Sequence, residues 1–165
     1  MRTARISFLA FCLFTFLSIT GSTQERPLYD PEADATADIE NAVSKAKREG
    51  KHVLLQIGGN WCPWCIRLHE YYTSNQEIKD LMDAHYVTVL VNYSKENRNI
   101  DVLHDLGFPQ RFGFPVLVVL DPQGNRLHTQ DTGLLESGGT YDQKKLMSFF
   151  RNWTPQAINP DSYKQ

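Results

Sequence analysis

No run of lysine and arginine occurs anywhere in the 165 residues, and 17 basic side chains face 19 acidic ones. A protein that grips a nucleic-acid duplex needs a concentrated basic face to neutralise phosphates, so the charge pattern argues against that class. With 10 glycines, 8 prolines and only 3 cysteines, collagen-like chains and disulfide-dense mini-proteins are excluded as well. The fourteen-residue stretch Ile6–Ile19 is mostly apolar, but a membrane span needs about 20 such residues. What is present is 41% hydrophobic content, enough for one globular domain with a proper core.

The apolar stretch reads as a secretory leader. Arg2 and Arg5 supply the positive start, and Thr20-Gly21-Ser22 supplies small residues for cleavage near Ser22. Cys12 lies inside the stretch, preceded by Phe11, and is expected to leave with it. Removing Arg2 and Arg5 from the 17 basic residues leaves 15 against 19 acidic. The mature chain is then expected to be periplasmic or secreted, without a stable membrane span. Two cysteines remain, Cys62 and Cys65, in an oxidising compartment. A disulfide closing so short a loop constrains the unfolded chain little, so the pair reads as chemical rather than structural.

Hydrophobic periodicity sets out the domain. Residues 23–35 carry Pro27 and Pro31 and no usable period, and read as an extended lead-in. Thr36 to Glu49 reads as a helix stopped by Gly50, with Ile39, Ala42, Val43 and Ala46 at helical spacing. Strands are expected at His52–Ile57, Tyr86–Val91, Val116–Leu120 and Arg126–Gln130. Pro63 suits the first turn of a helix through Ile66, His69 and Tyr72. Ser74 and Glu77 suggest a capping box for a further helical piece containing Ile78, Leu81 and Met82. Asn99–Leu106 and Tyr141–Asn152 complete the helices. Helices between the early strands imply parallel pairing, while the turn at Asp121-Pro122-Gln123-Gly124-Asn125 forces an antiparallel pair. The expected fold class is α/β, a mixed central sheet flanked by helices on both faces, over residues 36–152 with a tail at 153–165.

Cysteines three apart on a helix share a face, with α-carbons about 5 to 6 Å apart and within disulfide range. Cys62 at the helix start meets unpaired N–H groups that stabilise a thiolate, while Cys65 lies one turn inward and shielded. That division suits dithiol exchange. A zinc module is the rival: Cys62, Cys65 and His69 give three ligands, but a structural site wants four and no second C-x-x-C exists. Haem attachment needs histidine where Ile66 stands. Gly58-Gly59 lacks the spacing and lysine of a phosphate-binding loop and reads as a turn. Trp61 and Trp64 beside a thiolate are candidates for a target-docking surface. Asn92-Tyr93-Ser94 and Asn152-Trp153-Thr154 match glycosylation acceptors, a pattern that chance explains easily.

With Trp61-Cys62-Pro63-Trp64-Cys65 between a strand and a helix, the sequence resembles the thioredoxin superfamily. Arg111-Phe112-Gly113-Phe114-Pro115-Val116 looks like the loop that holds its cis-proline, and the resemblance covers about Thr36 to Asn152. Within the superfamily it looks most like exported thioredoxin-like domains with a long N-terminal helix and a broken helix after the motif. The resemblance implies a thioredoxin-like fold and protein disulfide exchange through Cys62 and Cys65. It further implies a cis bond at Pro115, with Phe114 and Pro115 beside the target, and no organic or metal cofactor. The implied partners are protein disulfides and a redox partner, either a membrane thiol transporter or an oxidase. The reductase direction is slightly favoured. A thioredoxin-fold binding or chaperone-like module with redox-inert or zinc-binding cysteines is the alternative. Three features depart from thioredoxin, at four positions: Gln56 stands where a buried Asp is expected, Pro63-Trp64 replaces Gly-Pro, and Ile66 replaces Lys.

Overall fold

Apolar side chains on both sides of the central strands decide how the chain layers. In the computed structural model, which describes residues 27–164, the first elements are α1 (Ala35–Glu49), β1 (His52–Gly58), α2 (Pro63–Ser74) and α3 (Gln76–His85). Then come β2 (Tyr86–Asn92), α4 (Ile100–Asp105), β3 (Val116–Leu120) and β4 (Arg126–Asp131). A small pair, β5 (Glu136–Ser137) and β6 (Thr140–Tyr141), precedes α5 (Gln143–Asn152). The leader read at residues 1–22 lies outside the described residues. Among the described residues no helix is long and apolar enough to cross a membrane.

The main sheet has the order β2-β1-β3-β4. β1 and β2 run parallel with His52 opposite Tyr86, and β1 and β3 run antiparallel with Val53 opposite Leu120. β3 and β4 form the antiparallel hairpin that the turn at Pro122 demands. Successive residues of a strand point to opposite faces, so the central strands feed two cores. Val53, Leu55, Ile57, Val116, Val118 and Leu120 pack with Ala42 and Ala46 of α1 and Leu103 of α4. Leu54, Leu117 and Val119 pack with Leu68 and Tyr72 of α2, Ile78 and Met82 of α3, and Leu146 and Phe150 of α5. This is the mixed sheet flanked on both faces, in a thioredoxin-like arrangement.

Capping explains where helices begin. Asp34, Asn75 and Asp142 each accept a backbone N–H of the first turn through their side chains, at 3.0, 3.2 and 3.0 Å. Each such cap is worth about 1 kcal/mol. The capping box expected of Ser74 and Glu77 does not form: Asn75 takes the cap of α3, and Ser74 ends α2 with its hydroxyl donating to Tyr71 O. Asn75 serves both helices, its backbone N–H donating to Tyr71 O at the end of α2 and its side-chain oxygen capping α3, so the helix breaks without a loop. The last helix begins later than its periodicity suggests, because Tyr141 belongs to β6 and Asp142 supplies the cap.

Residues 27–34 run in bends and turns rather than as a strand. Tyr29 is fully buried there, held by a reciprocal pair in which its N–H donates to Asn60 Oδ1 at 2.9 Å and Asn60 Nδ2 donates to Tyr29 O at 2.7 Å. Asn97 Nδ2 also donates to Pro31 O at 3.1 Å. The segment is a strap fastened to the loop that precedes Cys62.

Candidate functional site

Cys62 and Cys65 are joined as a disulfide with α-carbons 5.3 Å apart. Cys62 is the N-cap of α2 in an extended conformation, and Pro63 takes the first helical position, where its missing N–H is no loss. The Cys65 N–H donates to Cys62 Sγ at 3.2 Å, and the Ile66 N–H donates to Cys62 O at 3.3 Å. No acidic residue lies in the first turn of α2. A thiolate at Cys62 would therefore meet a helix dipole and a backbone donor with no local negative charge opposing it. Both sulfur-bearing residues are buried, Cys62 at 4% exposure and Cys65 at 0%, so the pair is more enclosed than its exposed neighbour Trp61 suggests.

On the solvent side, three aromatic side chains form one cluster. The Phe114 ring stacks on Tyr93 at 4.6 Å and meets the edge of Trp61 at 5.5 Å. Trp61 is 56% exposed, and its Nε1–H donates to Tyr93 O at 2.6 Å. Gly59 makes room for that bond: a Cβ there would lie 2.5 Å from Trp61 Nε1. The peptide bond between Phe114 and Pro115 is cis, and Pro115 is buried with its carbonyl accepting from Thr132 Oγ1. A groove of about 390 Å³ continues from Trp61 and Tyr93 past Lys95 and Arg98. Trp64 turns the other way and is half-buried: its ring meets the edge of Tyr141 at 5.5 Å and carries the Arg67 guanidinium at 4.5 Å.

Behind the pair lies a polar contact that depends on strand register. Gln56 shares the face of Leu54 and is opposite Leu117, which points it beneath α2. Its Nε2 donates to Cys65 O at 3.0 Å and to the Tyr29 hydroxyl at 2.5 Å. Its Oε1 is buried without a hydrogen-bond partner among the described residues. Burial pushes the Tyr29 phenol well above the usual tyrosine range, with the Gln56 hydrogen bond opposing and Tyr141 adding to the rise. Gly58 is required here by contact, since a Cβ would overlap Cys65 Sγ.

The residues expected from the sequence thus gather at one end of the sheet: Cys62, Pro63, Cys65 and Gln56 around the disulfide, Trp61, Phe114 and Pro115 on its outer side, and Trp64 at its flank. His69 is not among them. It is half-buried along α2, with Nδ1 2.8 Å from the Tyr72 hydroxyl, and burial lowers its pKa. Among the described residues no three His, Cys, Asp or Glu side chains are grouped to hold a metal ion. Tyr29, Asn60 and Tyr93 were not anticipated. The only signal for Tyr29 is that it is the sole aromatic between residue 22 and α1, set between Pro27 and Pro31.

A dithiol motif at a helix N-terminus, beside a cis-proline loop and at the end of a β2-β1-β3-β4 sheet, defines a thioredoxin-fold domain. The chain belongs to the thioredoxin-like family, whose model matches residues 34–122. Among solved structures, it is similar to the disulphide isomerase from Xylella fastidiosa Temecula1, with a TM-score of 0.68 and 28% identity, over 78% of this chain and 97% of that one. The reduced C-terminal domain of DsbD from Neisseria meningitidis shares the fold, with a TM-score of 0.52 and 20% identity, over 71% of this chain and 95% of that one. Disulfide bond reductase DsbH of Chlamydia pneumoniae is 26% identical over 113 residues, 65% of this chain and 67% of that protein. Spermatogenesis-associated protein 20 of Rattus norvegicus is 32% identical over 87 residues, half of this chain, and the match spans 11% of that protein's length.

Proposed function

We propose that this chain is an exported thiol-disulfide oxidoreductase that exchanges disulfides with protein substrates through Cys62 and Cys65. The observation that carries the reading is the Cys62–Cys65 disulfide with Cys62 as N-cap of α2, where a thiolate is stabilised and Cys65 lies within bonding reach. In the reducing direction, the Cys62 thiolate attacks one sulfur of a target disulfide. That S–S bond breaks, and the departing target thiolate takes up a proton. Cys65 gives up its proton and attacks the Cys62 sulfur. The Cys62–Cys65 bond forms as the second target thiolate leaves and is protonated, so two electrons have passed to the target.

Trp61, Phe114 and Pro115 are proposed to seat the extended target, whose backbone pairs with that of Phe114 as a short added strand, and Trp64 borders the same surface. Pro63 holds the first turn and Gln56 supports the Cys65 carbonyl. The reducing direction is supported by the likeness to a disulfide bond reductase. It requires a donor such as a membrane thiol transporter, whereas oxidation would require an oxidase. A periplasmic or secreted location follows from the leader reading.

The test is reduction of an insulin-type disulfide by the full chain and by Cys62→Ser, with metal analysis and thiol titration of the same preparations. Activity that is lost in Cys62→Ser supports the proposal. One zinc per chain, with no disulfide accessible to mild reductant, would identify a metal-binding module instead. A reduction potential of about −270 mV favours a reductant, and one of about −120 mV an oxidant.

A further inference from the structure

Among the described residues no aspartate or glutamate is buried, and a phenol, that of Tyr29, is packed in one buried cluster with the two cysteines. Its oxygen accepts from Gln56 Nε2 at 2.5 Å, while its own hydrogen finds no acceptor among the described residues. The hydroxyl and Cys65 converge over the bare α-carbon of Gly58: a Cβ there would overlap Cys65 Sγ and lie 3.0 Å from Tyr29 Oη and 3.1 Å from Cys65 Cβ. The strap cannot drift from this position without breaking the paired amide bonds between Tyr29 and Asn60, two residues before Cys62.

We infer that the Tyr29 hydroxyl is the hydrogen-bond donor to the Cys65 sulfur once the disulfide is opened, so that a residue outside the motif sets how readily Cys65 ionises. The inference rests on the proposed exchange activity for its consequence, but not for its geometry. In the disulfide, Cys65 Sγ is a weak acceptor. Reduction turns it into a thiol, and the resolving step needs it as a thiolate. A buried thiolate with no donor is costly, and an ordered O–H in a dry site is worth more than one in water.

The phenol keeps its proton throughout. Burial raises its pKa, and its ionisable neighbours Tyr72 and Tyr141 are themselves raised by burial. Tyr29 therefore acts as a neutral donor rather than an acid or base. The proton lost by Cys65 goes to the departing target thiolate, and no bond to Tyr29 is made or broken. Gln56 is a positioning residue: by donating to the Tyr29 oxygen it fixes that oxygen as an acceptor and leaves its O–H free to donate elsewhere.

The experiment uses the full chain, fully reduced, and follows the Cβ chemical shifts of Cys62 and Cys65 separately against pH in wild type and Tyr29→Phe. The expected result is a Cys65 ionisation constant lowered about tenfold, the value of one charge-assisted hydrogen bond, with Cys62 changed less. The glutathione equilibrium should shift toward the disulfide, because the dithiol form has lost its donor. An unchanged Cys65 titration in folded Tyr29→Phe overturns the inference. Should that variant fail to fold, difluorotyrosine at position 29 keeps the ring and strengthens the donor. Cys65 should then ionise more readily, and an unchanged titration again overturns the inference. A wild-type chain that exchanges no disulfide would contradict the proposed function while leaving the titration to decide on Tyr29.

Discussion

The two sides of the Cys62–Cys65 disulfide are both lined with aromatic side chains, put to opposite ends. Outside, Trp61, Tyr93 and Phe114 lean on one another, with Trp61 more than half exposed. Inside, Tyr29 is sealed, hydrogen-bonded through Gln56, and packed over a glycine that admits no methyl group. An exposed aromatic offers contact area to a partner, whereas a buried phenol offers one fixed polar group. On the proposed function, the difference separates the side that would meet a target from the side that would govern the thiols. Changes on the inner side should act on stability and ionisation, and changes on the outer side on target affinity.

The sharpest way to break that division is Gly58→Ala. The new methyl overlaps Cys65 Sγ and presses on Tyr29, so a stability loss of about 1–3 kcal/mol is expected in thermal or denaturant unfolding. An unfolding midpoint equal to wild type would mean that the inner side has slack. Next comes Gln56→Asp, which places a carboxyl beneath α2 with no cation shown beside it. Burial raises its pKa above the unfolded value near 3.9. The folded state then holds a proton that the unfolded state releases, so the variant should be closest to wild type in acid and lose stability as pH rises from about 4 through its raised pKa. Its pH–rate profile should gain an ionisation absent from wild type. An unchanged profile in folded protein would place Gln56 outside the thiol chemistry.

Trp61→Ala probes the outer side. It removes the bond to Tyr93 O and the edge contact on Phe114, from a side chain already 56% exposed. KM for a disulfide-bonded protein substrate should rise several-fold, with kcat and the unfolding midpoint nearly unchanged. A fall in kcat alone would move Trp61 into the chemistry. The smallest effect belongs to His52 and His69, whose pKa values burial lowers from 6.5. The unfolded chain takes up protons first as pH falls below about 6.5, so this contribution to stability is complete above that value and declines below it. His69→Gln should flatten part of that decline in an unfolding series across pH.

Legibility in the sequence followed the same division. Val116–Leu120 is an uninterrupted β-branched and leucine run, and Ala42, Val43 and Ala46 keep helical spacing, so the central strand and α1 appear where periodicity puts them. Cys62 and Cys65 carry their own spacing, and Phe114-Pro115 was reached through resemblance. Tyr29 was not legible, because its burial comes from the amide of Asn60, 31 residues away, and from no local period. The strands β5 and β6 are two residues each, too short to show alternation. The cap of α3 fell to Asn75 rather than Ser74 because one residue can serve two helix ends, its backbone N–H closing α2 and its side-chain oxygen capping α3, which a capping-box pattern does not encode.

The central claim, that Cys62 attacks and Cys65 resolves, is met most directly by mass mapping of the adduct formed when Cys65→Ser is incubated with a disulfide-bonded protein. The account predicts a stable mixed disulfide on Cys62 that accumulates without release of product. No adduct on Cys62, or release at the wild-type rate without Cys65, would contradict it.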